Sequence, residues 1–461
     1  MENGDKLQIV VFPWLAMGHL IPYFRLSILL AQKGHKIYFV STPRNLMKLP
    51  KIPENLSSQI KLISFPLPHV PNLPPNAESS ADVTYSKQQL LKKGLDSLKQ
   101  PLTAFLESSR PDWVIFDYAS HWLPSTAKML GISTAFFSLF TASCLCFICP
   151  PSVAINGENS RSKAEDFTVV PEWVPFESTI TYRLYEVTKY VEKTEEDVSG
   201  PSDDVRFGVS AGECDVVLIR SLPEFEPEWF NLLQELYKKP IVPVGFLPPI
   251  PFEDEETDDW SDIKTWLDKQ ITRSVIYVAL GTEVALTREE VHELAFGLEK
   301  SMLPFVWVLK DAPGSTENVL EMLPDGFKER VNDRGLVYRG WAPQANVLSH
   351  ESVGGFLTHC GWNSVIEGLT FGKALVLLPF INDQGLNARL LEEKKLGREV
   401  PRNEHDGSFT RESVAESVRM ATVGNTAEEL RDLFIDENRN DGFIEMLVKQ
   451  LHESRKRVMV A

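Results

Sequence analysis

Short apolar runs, alternating with longer stretches of helical spacing, set the rhythm of the chain. Residues 7–12 are the first run. It is too short for a stable helix, and its apolar character suits a strand covered on both faces of a parallel sheet. Pro13-Trp14-Leu15-Ala16-Met17-Gly18-His19 follows, then a helix through Gln32. Gly34-His35 turns the chain into a strand at 36–40, and 60–65 reads as a third strand. A proline-rich loop covers 66–82, one helix covers 88–106, and strand 113–116 ends in Asp117. After a helix to residue 130, a strand at 133–137 is followed by a core helix. This alternation predicts a parallel, doubly wound α/β sheet. Ligands of such sheets gather at the carboxyl ends of the strands, and both His19 and Asp117 fall just past a strand end.

Between 156 and 210 the pattern breaks into polar loops and short aromatic helices, the kind of insertion that carries ligand selectivity. A strand resumes at 214–219. Residues 240–259 are rich in proline and acid, which marks an interdomain linker with a solvated face. The second half starts again with a helix at 260–269 and strands at 275–280, 305–309, 336–338, 353–358 and 374–378. A chain of 461 residues exceeds one hydrophobic core. The expected division is 1–245, a linker at 246–260, 261–439, and a last helix at 440–461.

Composition narrows the partners. Hydrophobic content of 43% and charged content of 24% are those of an ordinary globular protein. A net charge of −17 excludes nucleic acid and anionic membrane as partners of the whole surface. An anionic ligand would have to be held by local donors. Five cysteines, an odd number in a long chain, argue against a disulfide framework and for a reducing compartment, the cytoplasm. Cys144, Cys146 and Cys149 invite a metal reading, but no histidines or further cysteine pairs stand near them, so apolar packing is expected. The uncharged run 131–156 is long enough to mimic a membrane span. Its Pro150-Pro151 and its many Ser, Thr and Cys residues point instead to a buried strand and a core helix. The polar first six residues give no sign of a signal peptide.

The candidate chemistry centres on residues 353–378, a strand, the turn His359-Cys360-Gly361, a helix over 363–371 and a second strand stopped by Pro379. The first N–H groups of a helix lack partners and sit at the positive end of its dipole, so such a turn can hold a phosphate. His359, Asn363 and Ser364 add donors there, and Glu367 could accept from a ribose. An ordinary strand–turn–helix corner fits the same residues. His19, by spacing, is open to two readings as well, a structural histidine or a general base oriented by Asp117.

Residues 341–384 read W-A-P-Q-A-N-V-L-S-H-E-S-V-G-G-F-L-T-H-C-G-W-N-S-V-I-E-G-L-T-F-G-K-A-L-V-L-L-P-F-I-N-D-Q. Across all 44 positions this stretch resembles the secondary-product signature of the plant UDP-sugar-dependent glycosyltransferases. The likeness extends over nearly the whole chain. It implies the GT-B architecture: two facing Rossmann-like domains with a cleft between them, the last helix crossing back to the first. It makes His19 the catalytic base and Asp117 its partner. Trp341 would stack on uracil, and the Ala342 backbone would pair with its edge. Gln344 and Glu367 would take the ribose hydroxyls. Thr282, His359, Asn363 and Ser364 would bind the diphosphate, while Trp362, Asp383, Gln384 and Thr141 would address the sugar.

No D-x-D occurs, which fits a single inverting displacement without metal or other cofactor. In this family a glutamine at position 384 points to glucose rather than galactose. Lys373 and Asn382 depart from the residues common in relatives, and 420–428 looks short beside them. P-W-L-A-M-G-H, S-T-P-R-N, A-L-G-T-E-V and L-P-D-G-F-K-E-R look like the branch-forming clade. That likeness implies transfer of glucose from UDP-glucose to a sugar hydroxyl of a natural-product glycoside such as a terpenoid, flavonoid or saponin. The alternatives are a UDP-rhamnose donor or an aglycone acceptor. A monomer without a membrane span is expected.

Overall fold

The computed structural model describes residues 6–159, 161–193, 200–249, 258–312, 318–421 and 431–460. Two all-parallel sheets organise them. The first holds β1 (Gln8–Phe12), β2 (Lys36–Ser41), β3 (Ile60–Ser64), β4 (Trp113–Phe116), β5 (Ser133–Ser138), β6 (Val216–Ile219) and β7 (Ile241–Pro243), in the order β3-β2-β1-β4-β5-β6-β7. The second holds β8 (Val275–Ala279), β9 (Phe305–Leu309), β10 (Gly335–Arg339), β11 (Val353–Thr358), β12 (Ala374–Leu377) and β13 (Gly397–Glu399), in the order β10-β9-β8-β11-β12-β13. In each sheet the order reverses once, at β1/β4 and at β8/β11. There the flanking helices depart to opposite faces and leave a crevice at the carboxyl edge. Phe12 pairs with Phe116 at the first switch, and Ala279 with Thr358 at the second.

The apolar runs are where burial demands them. Ile9, Val11, Trp113, Ile115 and Ala135 form the centre of one core, covered by Leu20, Phe24 and Leu30 of helix Met17–Gln32. Helix Glu437–Val460 adds Ile444, Leu447 and Leu451 to the same core. In the second core, Ile276, Val278, Trp307, Leu357 and Val376 pack with Leu294 and Leu298 of helix Arg288–Ser301 and with Val414 and Val418 of helix Arg411–Ala421.

Three expectations are revised. The single helix over 88–106 is two, Gln88–Asp96 and Lys99–Ser109. Pro101 has no N–H for the Ser97 carbonyl and its ring would crowd that oxygen, so the first helix stops before it. The linker begins later than its proline content suggests: β7 closes the first sheet, and Val244, Phe246 and Leu247 are buried. Pro243 is tolerated because β7 is an edge strand. Residues 250–257 of the expected linker, and 422–430 in the stretch that looked short, lie outside the described residues.

The third revision concerns the irregular insertion. By packing the chain divides into one unit of Met1–Ser162, Thr194–Leu247 and Glu437–Ala461, and another of Lys163–Lys193 and Pro248–Asp436. Lys163–Lys193, expected inside 1–245, therefore belongs with the second unit. Polar contacts fix it there. Glu186 Oε2 lies 2.6 Å from Arg389 Nη2, Arg183 Nη2 is 3.3 Å from Glu399 Oε2, and the Thr179 N–H donates to Glu393 at 2.7 Å. The Arg402 guanidinium covers the Tyr185 ring at 5.5 Å.

The uncharged run 131–156 is β5 followed by helices Ala142–Ile148 and Pro151–Asn156, and among the described residues no helix is long and apolar enough to cross a membrane. All five cysteines are buried thiols. Burial pushes the Cys149 thiol up to about 11, and no group of three or more potential ligands that could hold a metal occurs among the described residues.

Gly297 marks the close approach of two helices in the second core. Alanine ordinarily stabilises a helix over glycine by about 1 kcal/mol. Here the added Cβ would lie 2.6 Å from the Val414 Cβ and 3.1 Å from the Arg411 carbonyl oxygen. Gly297→Ala is therefore expected to lower the thermal midpoint, by about 2–4 °C per kcal/mol of overpacking. Scanning calorimetry showing an unchanged or raised midpoint would contradict this packing.

Candidate active site

At the first switch point the chain leaves β1 through Pro13–Ala16 and enters helix Met17–Gln32, whose first turn carries His19. Asp117 directly follows β4. Its Oδ2 lies 2.7 Å from His19 Nδ1 and accepts from the Trp14 N–H at 3.1 Å, while Oδ1 accepts from the Tyr118 N–H at 2.8 Å. A carboxylate has no proton to give, so Nδ1 donates to it, and in a neutral imidazole the lone pair then lies on Nε2. The Asp117 side chain is 4% exposed and that of His19 is 23% exposed. The acceptor is thus sealed while the imidazole keeps an edge toward solvent. Beneath them the Tyr23 hydroxyl lies 2.9 Å from the Phe116 carbonyl and 2.6 Å from that of Phe137. Burial, and then the charge of Asp117, push the Tyr23 phenol well up and keep it neutral.

A support that no sequence pattern marks stands behind this pair. Arg206, on helix Asp203–Glu213, is fully buried. It donates to the Ala119 carbonyl at 2.8 Å and to both oxygens of Asp96, at 3.0 and 2.5 Å. Ser210 Oγ donates to the Tyr118 carbonyl at 2.9 Å. The turn that follows Asp117 is therefore held from a helix far away in sequence.

Thr141, a sugar contact by resemblance, has a structural part in the fold. It is fully buried, and its hydroxyl accepts from the Cys144 N–H at 3.2 Å as the cap of helix Ala142–Ile148. Glu226 takes the N–H groups of Ala142 and Ser143 at 3.1 and 2.9 Å. The helix terminus and the threonine hydroxyl both have partners within the protein.

The second switch point gathers most of the remaining candidates. His359 follows β11 and its ring lies between two glycines: a Cβ at Gly281 or at Gly361 would be 2.5 Å from Nε2. Only glycine allows the loop after β8 and the turn after β11 to close on the imidazole. Desolvation of the ring, with a smaller contribution from the charge of Lys310, pushes His359 down to about 4. The ring is thus a neutral hydrogen-bonding group at physiological pH.

Cys360, at φ +67°, turns the chain so that Gly361 caps helix Trp362–Thr370. Gln344, first residue of helix Gln344–Ser349, donates from Nε2 to Ser364 Oγ at 3.1 Å and also to Glu367 Oε2. Gln344, Ser364 and Glu367 thus form one polar cluster. Ala342 is buried, whereas the Trp341 indole is 53% exposed. An indole so open is unusual for so large an apolar surface and suits a stacking face. Thr282 and Asn363 have solvent-accessible surface, while Trp362 is buried at the start of its helix.

Asp383 and Gln384 open helix Gln384–Glu393. The Phe380 and Ile381 N–H groups donate to Gln384 Oε1 at 2.9 and 3.0 Å, which fixes the amide orientation and turns its NH2 group the other way. The two sequence departures have local causes. Asn382 sits at φ +55°, where asparagine is among the few side chains that fit readily. Lys373 is buried and donates to the Val353 carbonyl at 2.7 Å, tying the start of β11.

A profile of the family described as UDP-glucoronosyl and UDP-glucosyl transferase matches residues 236–418. UDP-glycosyltransferase 91C1 of Arabidopsis thaliana is 58% identical over 97% of both chains. The chain belongs to the plant UDP-glycosyltransferases. The Soyasaponin III rhamnosyltransferase of Glycine max is 39% identical over 98% of this chain and 97% of its own. The crystal structure of Arabidopsis thaliana UGT89C1 complexed with UDP-L-rhamnose superposes with a TM-score of 0.75 at 25% identity, covering 97% of this chain and all of that one. The glycosyltransferase therefore has the α/β GT-B fold.

Desolvation of the half-buried His359 makes stability depend on pH. The unfolded chain binds a proton at this residue near pH 6.5 and the folded one only near 4. Its contribution is complete above pH 6.5 and is lost progressively as pH falls from there toward 4, by up to about 3 kcal/mol. Urea unfolding of the wild type and of His359→Gln across this window should show a flatter pH dependence in the variant. Parallel curves would remove His359 from the account.

Proposed function

We propose that this glycosyltransferase moves glucose from UDP-glucose to a sugar hydroxyl of a natural-product glycoside, with inversion at the anomeric carbon. The observation that carries the mechanism is the 2.7 Å contact between His19 Nδ1 and Asp117 Oδ2, which orients a neutral imidazole with its basic nitrogen at Nε2. As the acceptor oxygen attacks the anomeric carbon, Nε2 takes its proton, and the bond from that carbon to the β-phosphate oxygen breaks. UDP leaves with the electron pair. Asp117, held by two backbone N–H groups, stabilises the imidazolium.

The developing diphosphate charge is met by the first N–H groups of helix Trp362–Thr370 together with His359, Asn363, Ser364 and Thr282. Trp341 stacks on the uracil, the Ala342 backbone pairs with it, and Gln344 and Glu367 take the ribose. Asp383 and Gln384 meet the sugar hydroxyls. These donors supply what a cation would, so the reading needs no metal. The reading also takes the protein to be a cytoplasmic monomer. His19→Ala is expected to lower kcat by about 10²–10⁴-fold while the Kd for UDP stays as in the wild type. Unchanged turnover would eliminate the base.

The relationship to a soyasaponin rhamnosyltransferase supports a glycoside acceptor and makes UDP-rhamnose the second reading for the donor. Purified protein given each UDP-sugar, with monoglucosides and their aglycones as acceptors, is expected to show its highest kcat/KM with UDP-glucose and a monoglucoside. Turnover on aglycones alone rules out the sugar-on-sugar reaction, and a preference for UDP-rhamnose reassigns the donor.

A further inference from the structure

Asn387 carries none of the roles assigned above, yet it is fully buried beside two of them. It lies one turn beyond Asp383 on helix Gln384–Glu393. Its Nδ2 donates to Asp383 Oδ2 at 2.8 Å and to the Cys360 carbonyl at 3.0 Å. One NH2 group thus spends both hydrogens on joining the turn after β11 to the start of the next helix but one.

Both neighbours are acceptors, and that restricts what can stand between them. An aspartate would have no hydrogen to offer, a serine only one, and a leucine none. An uncharged group with two hydrogens satisfies both without adding charge beside the phosphate turn. The same constraint fixes the amide orientation, so that Oδ1 faces the other way, where it is buried without a partner. A side chain chosen for packing alone would not carry that orphaned oxygen.

We propose that Asn387 is a positioning residue that holds the Asp383 carboxylate in register with the phosphate-binding turn at Cys360. The inference rests on the donor assignment above, in which Asp383 meets the sugar and the turn meets the diphosphate. The carboxylate is aimed before the donor arrives, so the sugar is gripped in a fixed relation to the leaving group. Such preorganisation favours the reacting geometry over a loosely held sugar.

The test is a double-mutant cycle with Asn387→Ala, Asp383→Ala and the double variant, titrating UDP and UDP-glucose by calorimetry and measuring kcat. Asn387→Ala is expected to weaken UDP-glucose about tenfold while UDP changes by less than about twofold, the scale of one misaligned hydrogen bond. kcat should fall with it, and the double variant should bind UDP-glucose no worse than Asp383→Ala alone. Equal weakening of UDP and UDP-glucose, additive losses in the double variant, or no effect of Asn387→Ala each overturn the proposal. An Asp383→Ala variant that binds UDP-glucose normally removes the sugar assignment and the proposal with it. If the alanine variant at 387 does not bind UDP with a wild-type thermal midpoint, Asn387→Ser, which keeps one donor, takes its place in the cycle.

Discussion

The reversal of strand order in a parallel sheet is the constraint on which the rest depends. A right-handed crossover puts each helix on the face dictated by the direction of travel, so the chain can open a crevice only where that direction changes. Both sheets change it once, at β1/β4 and at β8/β11. His19 and Asp117 follow β1 and β4, and Gly281 and His359 follow β8 and β11. The chemistry-bearing residues therefore need no special loop to meet. Strand register delivers them, Phe12 opposite Phe116 in one sheet and Ala279 opposite Thr358 in the other.

Charge shapes the two crevices differently. The first keeps a carboxylate from solvent by surrounding it with N–H donors from Trp14 and Tyr118, which makes it a fixed acceptor for one imidazole. The second has an imidazole kept neutral by desolvation, beside the N-terminus of helix Trp362–Thr370. In a chain of net charge −17, an anion there depends on dipoles aimed at short range, which long-range repulsion weakens little across a Debye length of about 8 Å.

What could be read in the sequence follows from where the information is local. Strands such as 353–358 and 305–309 were legible to the residue because an apolar run between turn residues has few other uses. Short edge strands were not: β7 and β13 have three residues each, one of them inside a proline-rich stretch that reads as linker. The pairing of His19 with Asp117 could be guessed from their positions after strands, and the signature gave the second cluster. Arg206, Asn387 and the cap at Thr141 could not be guessed. Each acts through a hydrogen bond to a segment distant in sequence or through a burial state that a single chain of letters does not record. Asn382 and Lys373, which looked like departures at the site, are answers to a left-handed backbone and a buried carbonyl at the start of β11.

The attachment of Lys163–Lys193 shows the same limit in energetic form. Its polar, irregular sequence does not say which core it joins. The segment buries Val174, Ile180 and Tyr185, and buried charges add direction to that apolar contact. Arg389 and Glu186 pair while nearly sealed from water, and Glu399 and Arg183 extend the network. Desolvation pushes the Glu399 carboxyl up, against the opposing influence of Arg389 and then Arg183. Arg183 Nε, the Tyr185 hydroxyl and Glu186 Oε1 are buried without partners, so the network does not satisfy even itself. A cluster of apolar side chains would hold the segment at less cost. It would also let the segment slide, since apolar contact carries no direction, whereas Glu186 fits only where Gly385 leaves room for its carboxylate, 2.6 Å from where a Cβ would be. Register, more than stability, is what these charges provide to a segment packed against the helix that begins at Gln384.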